Sequence, residues 1–128
     1  MKRNEIIAIT AFLLATVGTV AGVLAIEGNR RSRLFNAVLI ARAPENGNFY
    51  PQTLKVPVGE EIRLMIRNID TVTHGFAVPA LGIGVPEIKA GQVKTLTFTP
   101  EIPGNYPFQC TVWCSTLHME MRGVIQVE

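Results

Sequence analysis

Cysteine and histidine are scarce in this chain of 128 residues, which carries two of each, a single tryptophan and 7% aromatic residues. Charge is scarce as well. The formal net charge is +2, and away from the termini Lys and Arg are interleaved with Asp and Glu, so no basic stripe exists for a nucleic acid and that class of partner is excluded. Paired carboxylates, a nucleophile beside a base and an open metal position are all missing, so no catalytic site of the chain's own is expected. Gly82 and Gly84 in LGIGVP precede no helix and make no phosphate loop. No internal repeat is present. The length supports one core and one domain, and therefore one function.

What is there begins with an apolar run. After Met1-Lys2-Arg3-Asn4-Glu5, no charge occurs from Ile6 to Ile26. At about 1.5 Å per residue this stretch spans roughly 30 Å of hydrocarbon, the reach of one membrane helix. Ala11, Ala15, Gly18 and Gly22 recur at spacings of four, three and four, a small-residue face that lets another helix come close and that is equally ordinary in a span with no partner. A signal peptide cleaved after Val23-Leu24-Ala25 is the competing reading. The run is long for that, so an uncleaved anchor over residues 1–28 is expected. Lys2 and Arg3 on one side face Arg30, Arg31 and Arg33 on the other, and the basic-side-inward rule alone would put the domain in the cytoplasm. The chemistry developed below opposes that rule, and an extracytoplasmic domain, periplasmic or outer, is expected.

From Arg33 onward short apolar or alternating runs are punctuated by Gly, Pro and Asn, the pattern of an all-β sandwich or barrel. Residues 29–44 read as a linker, Asn29 to Arg33, and a first strand, Leu34 to Ala41. Leu54, Val56 and Val58 alternate with Lys55 and Pro57, and Pro57 places that strand at an edge or bulge because it cannot donate to a ladder. Ile62, Leu64 and Ile66 alternate with Glu61, Arg63 and Arg67 on the outer face. Asn68 to Thr71 reads as a turn. His74 to Val78, Val93 to Thr99, Asn105 to Cys110 and Gly123 to Val127 complete about seven strands.

Both cysteines and one histidine fall within FQCTVWCSTLHMEM, residues 108–121, in the order Cys110, Cys114, His118, Met121. Thiolate, imidazole and thioether donors on one short loop suit copper better than a hard cation, which takes carboxylates and carbonyls. The other histidine, His74, lies 36 residues before Cys110, at the start of a strand where a sandwich can bring it beside the loop. A disulfide would close a tiny ring and leave the histidines and Met121 unexplained. A Cys₂His₂ zinc site is chemically acceptable, but structural zinc belongs to small folds that lack a core. His74 could also be a buried core histidine and Met121 plain packing. Met65 and Met119 read as packing, Trp113 as a hydrophobic cover or a contact for an arriving electron, and Glu120 as a solvated side chain.

With these residues the chain resembles a cupredoxin of the dinuclear copper A type, found in subunit II of haem-copper oxidases and in the C-terminal domain of nitrous oxide reductase. The likeness covers about residues 45 to 128. FYPQTLKVPVGEEIRLMIRNIDTVTHGF resembles the front half of such a domain and PGNYPFQCTVWCSTLHMEMRG its metal loop, with LHMEMRG leaning toward the reductase form. The resemblance implies a cupredoxin-like Greek-key β-sandwich behind one transmembrane helix, binding copper as a dinuclear centre. It implies that Cys110 and Cys114 bridge two coppers, with His74 and Met121 completing one and His118 and the Val112 backbone carbonyl completing the other. Many oxidase subunits have Glu at the position of Val112, where the side chain helps link to a magnesium site in the partner; valine keeps the carbonyl and loses that link. The reductase's large catalytic propeller is absent, and the single span is that of the short subunits II.

The function implied is an electron relay from a cytochrome c or small copper protein to a terminal reductase, most naturally the catalytic subunit of a haem-copper (cytochrome c) oxidase in a respiratory chain. A stand-alone carrier, a mononuclear blue-copper protein using His74, Cys114, His118 and Met121, and a copper-delivery protein are the alternatives.

Overall fold

The computed structural model describes residues 2–32 and 34–128, which form two compact units, Met1–Arg33 and Leu34–Glu128. The first is a single helix, α1, Arg3–Ser32. Its stretch Arg3–Arg30 is long and apolar enough to cross a membrane, and none of it is buried in the protein. The hydroxyls in that stretch need no water, because Thr10, Thr16 and Thr19 donate back to the carbonyls of Ile6 (2.8 Å), Phe12 (3.0 Å) and Thr16 (2.9 Å), as polar side chains in a hydrocarbon environment do. Asn29 to Ser32, expected to open the linker, instead continue the helix. Glu27 and Arg30 pair across this last turn at 2.9 Å, which offsets the cost of the Gly28-Asn29 step. Arg33, the end of the expected linker, and the side chain of Arg31 lie outside the described residues.

The second unit holds eight strands: β1 Phe35–Ala41, β2 Thr53–Val56, β3 Ile62–Asn68, β4 His74–Val78, β5 Ile83–Ile88, β6 Val93–Phe98, β7 Gly104–Gln109 and β8 Arg122–Val127. They make a three-stranded sheet, β1-β3-β6, and a five-stranded sheet, β2-β8-β7-β4-β5. This is the expected all-β sandwich with one more strand than the sequence pattern reveals. The missed strand is β5, where Gly84 and Pro86 interrupt the alternation; it sits at a sheet edge, the place where such residues are tolerated. β2, beside Pro57, forms the opposite edge.

β3 shows how the pattern dictates the layer. Ile62, Leu64 and Ile66 are fully buried while Arg63, Met65 and Arg67 face out, so one face of the strand enters the core and the other meets water. Met65, read as packing, is therefore an outer-face residue. Between the sheets Phe49, Phe76 and Phe108 form an aromatic cluster. The Phe49 ring stands edge-on to Phe108 at 5.2 Å and to Phe76 at 6.1 Å, the arrangement that ring quadrupoles favour. Phe76 lies two residues after His74 and Phe108 two residues before Cys110. Both His74 and Cys110 are therefore tethered within two residues of the same packed cluster.

Phe49→Ala should cost about 3–5 kcal/mol, the usual penalty for emptying a buried aromatic site; urea unfolding of the metal-free full chain in mild detergent measures it.

Candidate metal centre

The loop carrying five of the six candidate donors is the connection of the β7–β8 hairpin. Pairing runs from Gly104 opposite Val127 to Gln109 opposite Arg122, and the Cys110 N–H then donates to the Met121 carbonyl at 2.9 Å. Cys110 and Met121 consequently stand at the closed base of the loop, both buried. A short 3₁₀ turn, His118–Glu120, is closed by Met121 N–H donating to the His118 carbonyl at 3.0 Å. It turns His118 back over Cys114.

His74 arrives from the neighbouring strand, β4, and is fully buried. The approach requires a glycine beside it, since a Cβ on Gly75 would collide with the Thr111 side chain. The bare Gly75 N–H instead reaches the Cys110 sulfur at 3.4 Å.

All six candidate donors meet around the two thiols. The ligand atoms of His74, Cys110 and Cys114 lie within 4.8 Å of one another. Cys110 Sγ is 3.9 Å from His74 Nδ1 and 3.2 Å from the Val112 carbonyl oxygen. Cys114 Sγ is 3.5 Å from His118 Nδ1 and 3.6 Å from Met121 Sδ. Both cysteines are free thiols, which answers the disulfide alternative in this structure. The outer residues behave differently. Trp113 is tilted against the His118 ring at 5.8 Å but is 71% exposed, and Met119, read as packing, is 79% exposed. They line the surface above the donors rather than seal it. An opening of about 280 Å³ leads to Cys110, His118 and Met121.

The two thiols differ electrostatically. Burial raises the Cys110 pKa, but the polar groups around the sulfur, the donating Gly75 N–H among them, outweigh it and hold the thiol below its ordinary range. Burial and the negative charge of Cys110 push Cys114 up to about 12. Two thiolates side by side without a cation repel, so the pair as built accommodates one negative charge easily and a second only when positive charge is supplied.

Sequence reasoning missed the residues that support these donors. Asn68 is fully buried; its side-chain amide donates to the carbonyls of Val72 and Ile88 at 2.8 Å each, and its oxygen accepts the Asp70 N–H at 2.9 Å. It therefore ties down the loop that leads into His74. Asn48, at φ 63°, donates from its side chain to the Glu120 carbonyl at 2.8 Å and fastens the 3₁₀ turn. The only sequence signal for either is an Asn in a turn context, which many surface turns share.

The family described as the cupredoxin-like domain matches residues 24–127. This chain belongs to the cupredoxin-like family. A nitrous-oxide reductase of Stutzerimonas stutzeri is 39% identical over 83 residues, 62% of this cupredoxin and 13% of the reductase. Cytochrome c oxidase subunit 2 of Thermus thermophilus is 36% identical over 80 residues, 62% of this chain and 58% of the subunit. This cupredoxin thus spans a small part of the reductase and under two thirds of the oxidase subunit. Among solved structures, a chain of a heme-copper terminal oxidase dimer shares its fold at TM-score 0.63 and 22% identity, over 98% of this chain and 100% of that one.

The thiol shift carries a pH dependence for the metal-free protein. Cys114 holds its proton more tightly folded than at its ordinary value of 9.0, so between about pH 9 and 12 the unfolded chain releases that proton first and unfolding gains. Stability should fall as pH rises through this window, more steeply in the wild type than in Cys114→Ser, when urea midpoints of the two proteins are compared from pH 8 to 11.

Proposed function

We propose that this chain is a membrane-anchored dinuclear copper electron-transfer protein of the copper A type, acting as a subunit II-like component of a haem-copper oxidase. The observation that carries the reading is the convergence of five soft side-chain donors and one carbonyl on a free thiol pair. Cys110 and Cys114 would hold both metals through their thiolates. His74 and Met121 would be the further donors to one copper, and His118 with the Val112 carbonyl those to the other. This division gives each metal one terminal donor lying against Cys110 and one against Cys114. The donor set fits copper: thiolate, imidazole and thioether match a soft cation, and the second thiolate charge needs a positive neighbour.

A copper pair held there would supply one-electron transfer, with Cys110 and Cys114 as thiolate donors to both metals. The protein's part is to keep the donors still. Cys110 and Met121 are pinned by the base of the hairpin, His74 by the sandwich core, and His118 by its 3₁₀ turn, so little rearrangement accompanies a change of charge. The core cluster behind them keeps water from His74, while the opening of about 280 Å³ reaches Cys110 and Met121 from the loop side.

The anchor and the partner follow from the same reading. α1 holds the domain at the membrane, with the copper centre on the extracytoplasmic face. A cytochrome c or small copper protein delivers the electron and a haem-bearing catalytic subunit receives it. The 36% identity to cytochrome c oxidase subunit 2 of Thermus thermophilus supports an oxidase assembly. No reaction is assigned to this chain alone.

The copper-loaded full chain in mild detergent should be purple, with an EPR spectrum of one spin shared by two coppers, and Cys110→Ser should abolish that signal. A blue spectrum of single copper that survives Cys110→Ser would replace this reading with a mononuclear carrier, and rapid loss of copper to a mild chelator with a delivery protein. Co-purification of a haem-bearing subunit from membranes tests the oxidase assignment.

A further inference from the structure

His74 is completely buried, and a buried imidazole must place both of its ring nitrogens. Nδ1 faces Cys110 Sγ at 3.9 Å, while Nε2 faces Asp70 Oδ2 at 3.4 Å. Asp70 is held from every other side by donors. Oδ2 accepts the Ala43 N–H at 2.8 Å, and Oδ1 accepts the Thr71 N–H at 2.9 Å and the Asn46 side-chain amide at 3.4 Å. A carboxylate surrounded by donors is an acceptor, so the remaining contact requires the proton of His74 on Nε2.

We propose that Asp70 is the positioning residue for His74, fixing the imidazole proton on Nε2 so that the Nδ1 lone pair is turned toward the thiol pair. The inference rests on reading His74 as a metal donor and deepens it. An imidazole with the other tautomer would present an N–H to the metals and could not bind them. The carboxylate removes that alternative before any metal arrives, and its charge makes the ring a better donor afterwards.

The position is framed, not accidental. Ala43 and Asn46 belong to the strap that carries a 3₁₀ turn, Pro44–Asn46, and that strap continues into Phe49 of the aromatic core. Asn68 fixes the Asp70 backbone from the other side at 2.9 Å. Asp70 therefore reports the placement of two separate segments to one ring. The 3.4 Å separation is long for a hydrogen bond, yet the burial of His74 leaves the ring no water to turn toward.

The test uses the full chain, ¹⁵N-labelled at histidine, in detergent and free of metal. NMR of the wild type should show His74 protonated at Nε2. In Asp70→Asn the proton should appear on Nδ1 in a measurable fraction of molecules while the His118 ring, which touches neither group, stays unchanged. That selectivity separates positioning from general loosening. Copper loading of Asp70→Asn should be weakened by about 10- to 100-fold, the usual loss when the partner of a metal-binding histidine is removed. An unprotonated Nε2 in the wild type overturns the proposal without any variant. So does an unchanged His74 proton position or undiminished copper affinity in Asp70→Asn. A wild type with the expected Nε2 proton that binds no copper would instead overturn the metal reading and leave the tautomer assignment standing.

Discussion

A thiol and an imidazole can share a dry interior only when every polar atom around them has a partner, and this constraint shapes one end of the sandwich. Leaving a buried imidazole or thiolate unpaired would cost several kcal/mol. The protein meets that demand with groups drawn from distant parts of the chain: the Gly75 N–H on Cys110, Asp70 on His74, and Asn68 on the loop between them. Each contact also restricts a direction. The outcome is a set of candidate metal donors whose orientation is fixed by hydrogen bonding and packing.

The same constraint explains why the donors come from two places. Four of them, with the Val112 carbonyl, lie on one hairpin loop, where closure is short and costs little chain entropy. A loop by itself is mobile, however, and a mobile thiol pair rearranges with each change of charge. His74 enters from β4 in the core, and the backbone bond between Cys110 and Met121 closes the loop onto β7 and β8. Local closure gathers the donors and the sandwich immobilises them, so the site inherits the rigidity of the aromatic cluster formed by Phe49, Phe76 and Phe108.

Much of this was legible in the sequence. The alternation through Ile62, Leu64 and Ile66 has one interpretation in a half-buried strand, and the structure places those residues as the pattern requires. The spacing of Cys110, Cys114, His118 and Met121 marked the loop because soft donors at that density have few other uses. β5 was not legible, since an edge strand broken by Gly84 and Pro86 carries no period to read. Nor was the helical continuation through residues 29–32, where Gly28 and Asn29 imitate a helix end and the Glu27–Arg30 pair carries the chain past it. Asp70 and Asn48 were hidden for a different reason. Asp70 acts across 27 residues on Ala43, and Asn48 across 72 on Glu120, and no local pattern encodes a contact that only the folded sandwich creates.

The division of labour between buried and exposed residues follows from the task the site is proposed to perform. Cys110, His74 and Met121 are buried, which lowers the local dielectric and strengthens each charge-assisted contact. His118 sits at the rim, with the Trp113 ring tilted against it at 5.8 Å without closing it off. An electron carrier needs both arrangements at once: a dry interior that limits solvent reorganisation, and an edge thin enough for an electron to cross into a partner. Burying Trp113 and Met119 as well would stabilise the loop further but would move the partner away from the donors. Their exposure fits a surface kept apolar for contact rather than a core left incomplete.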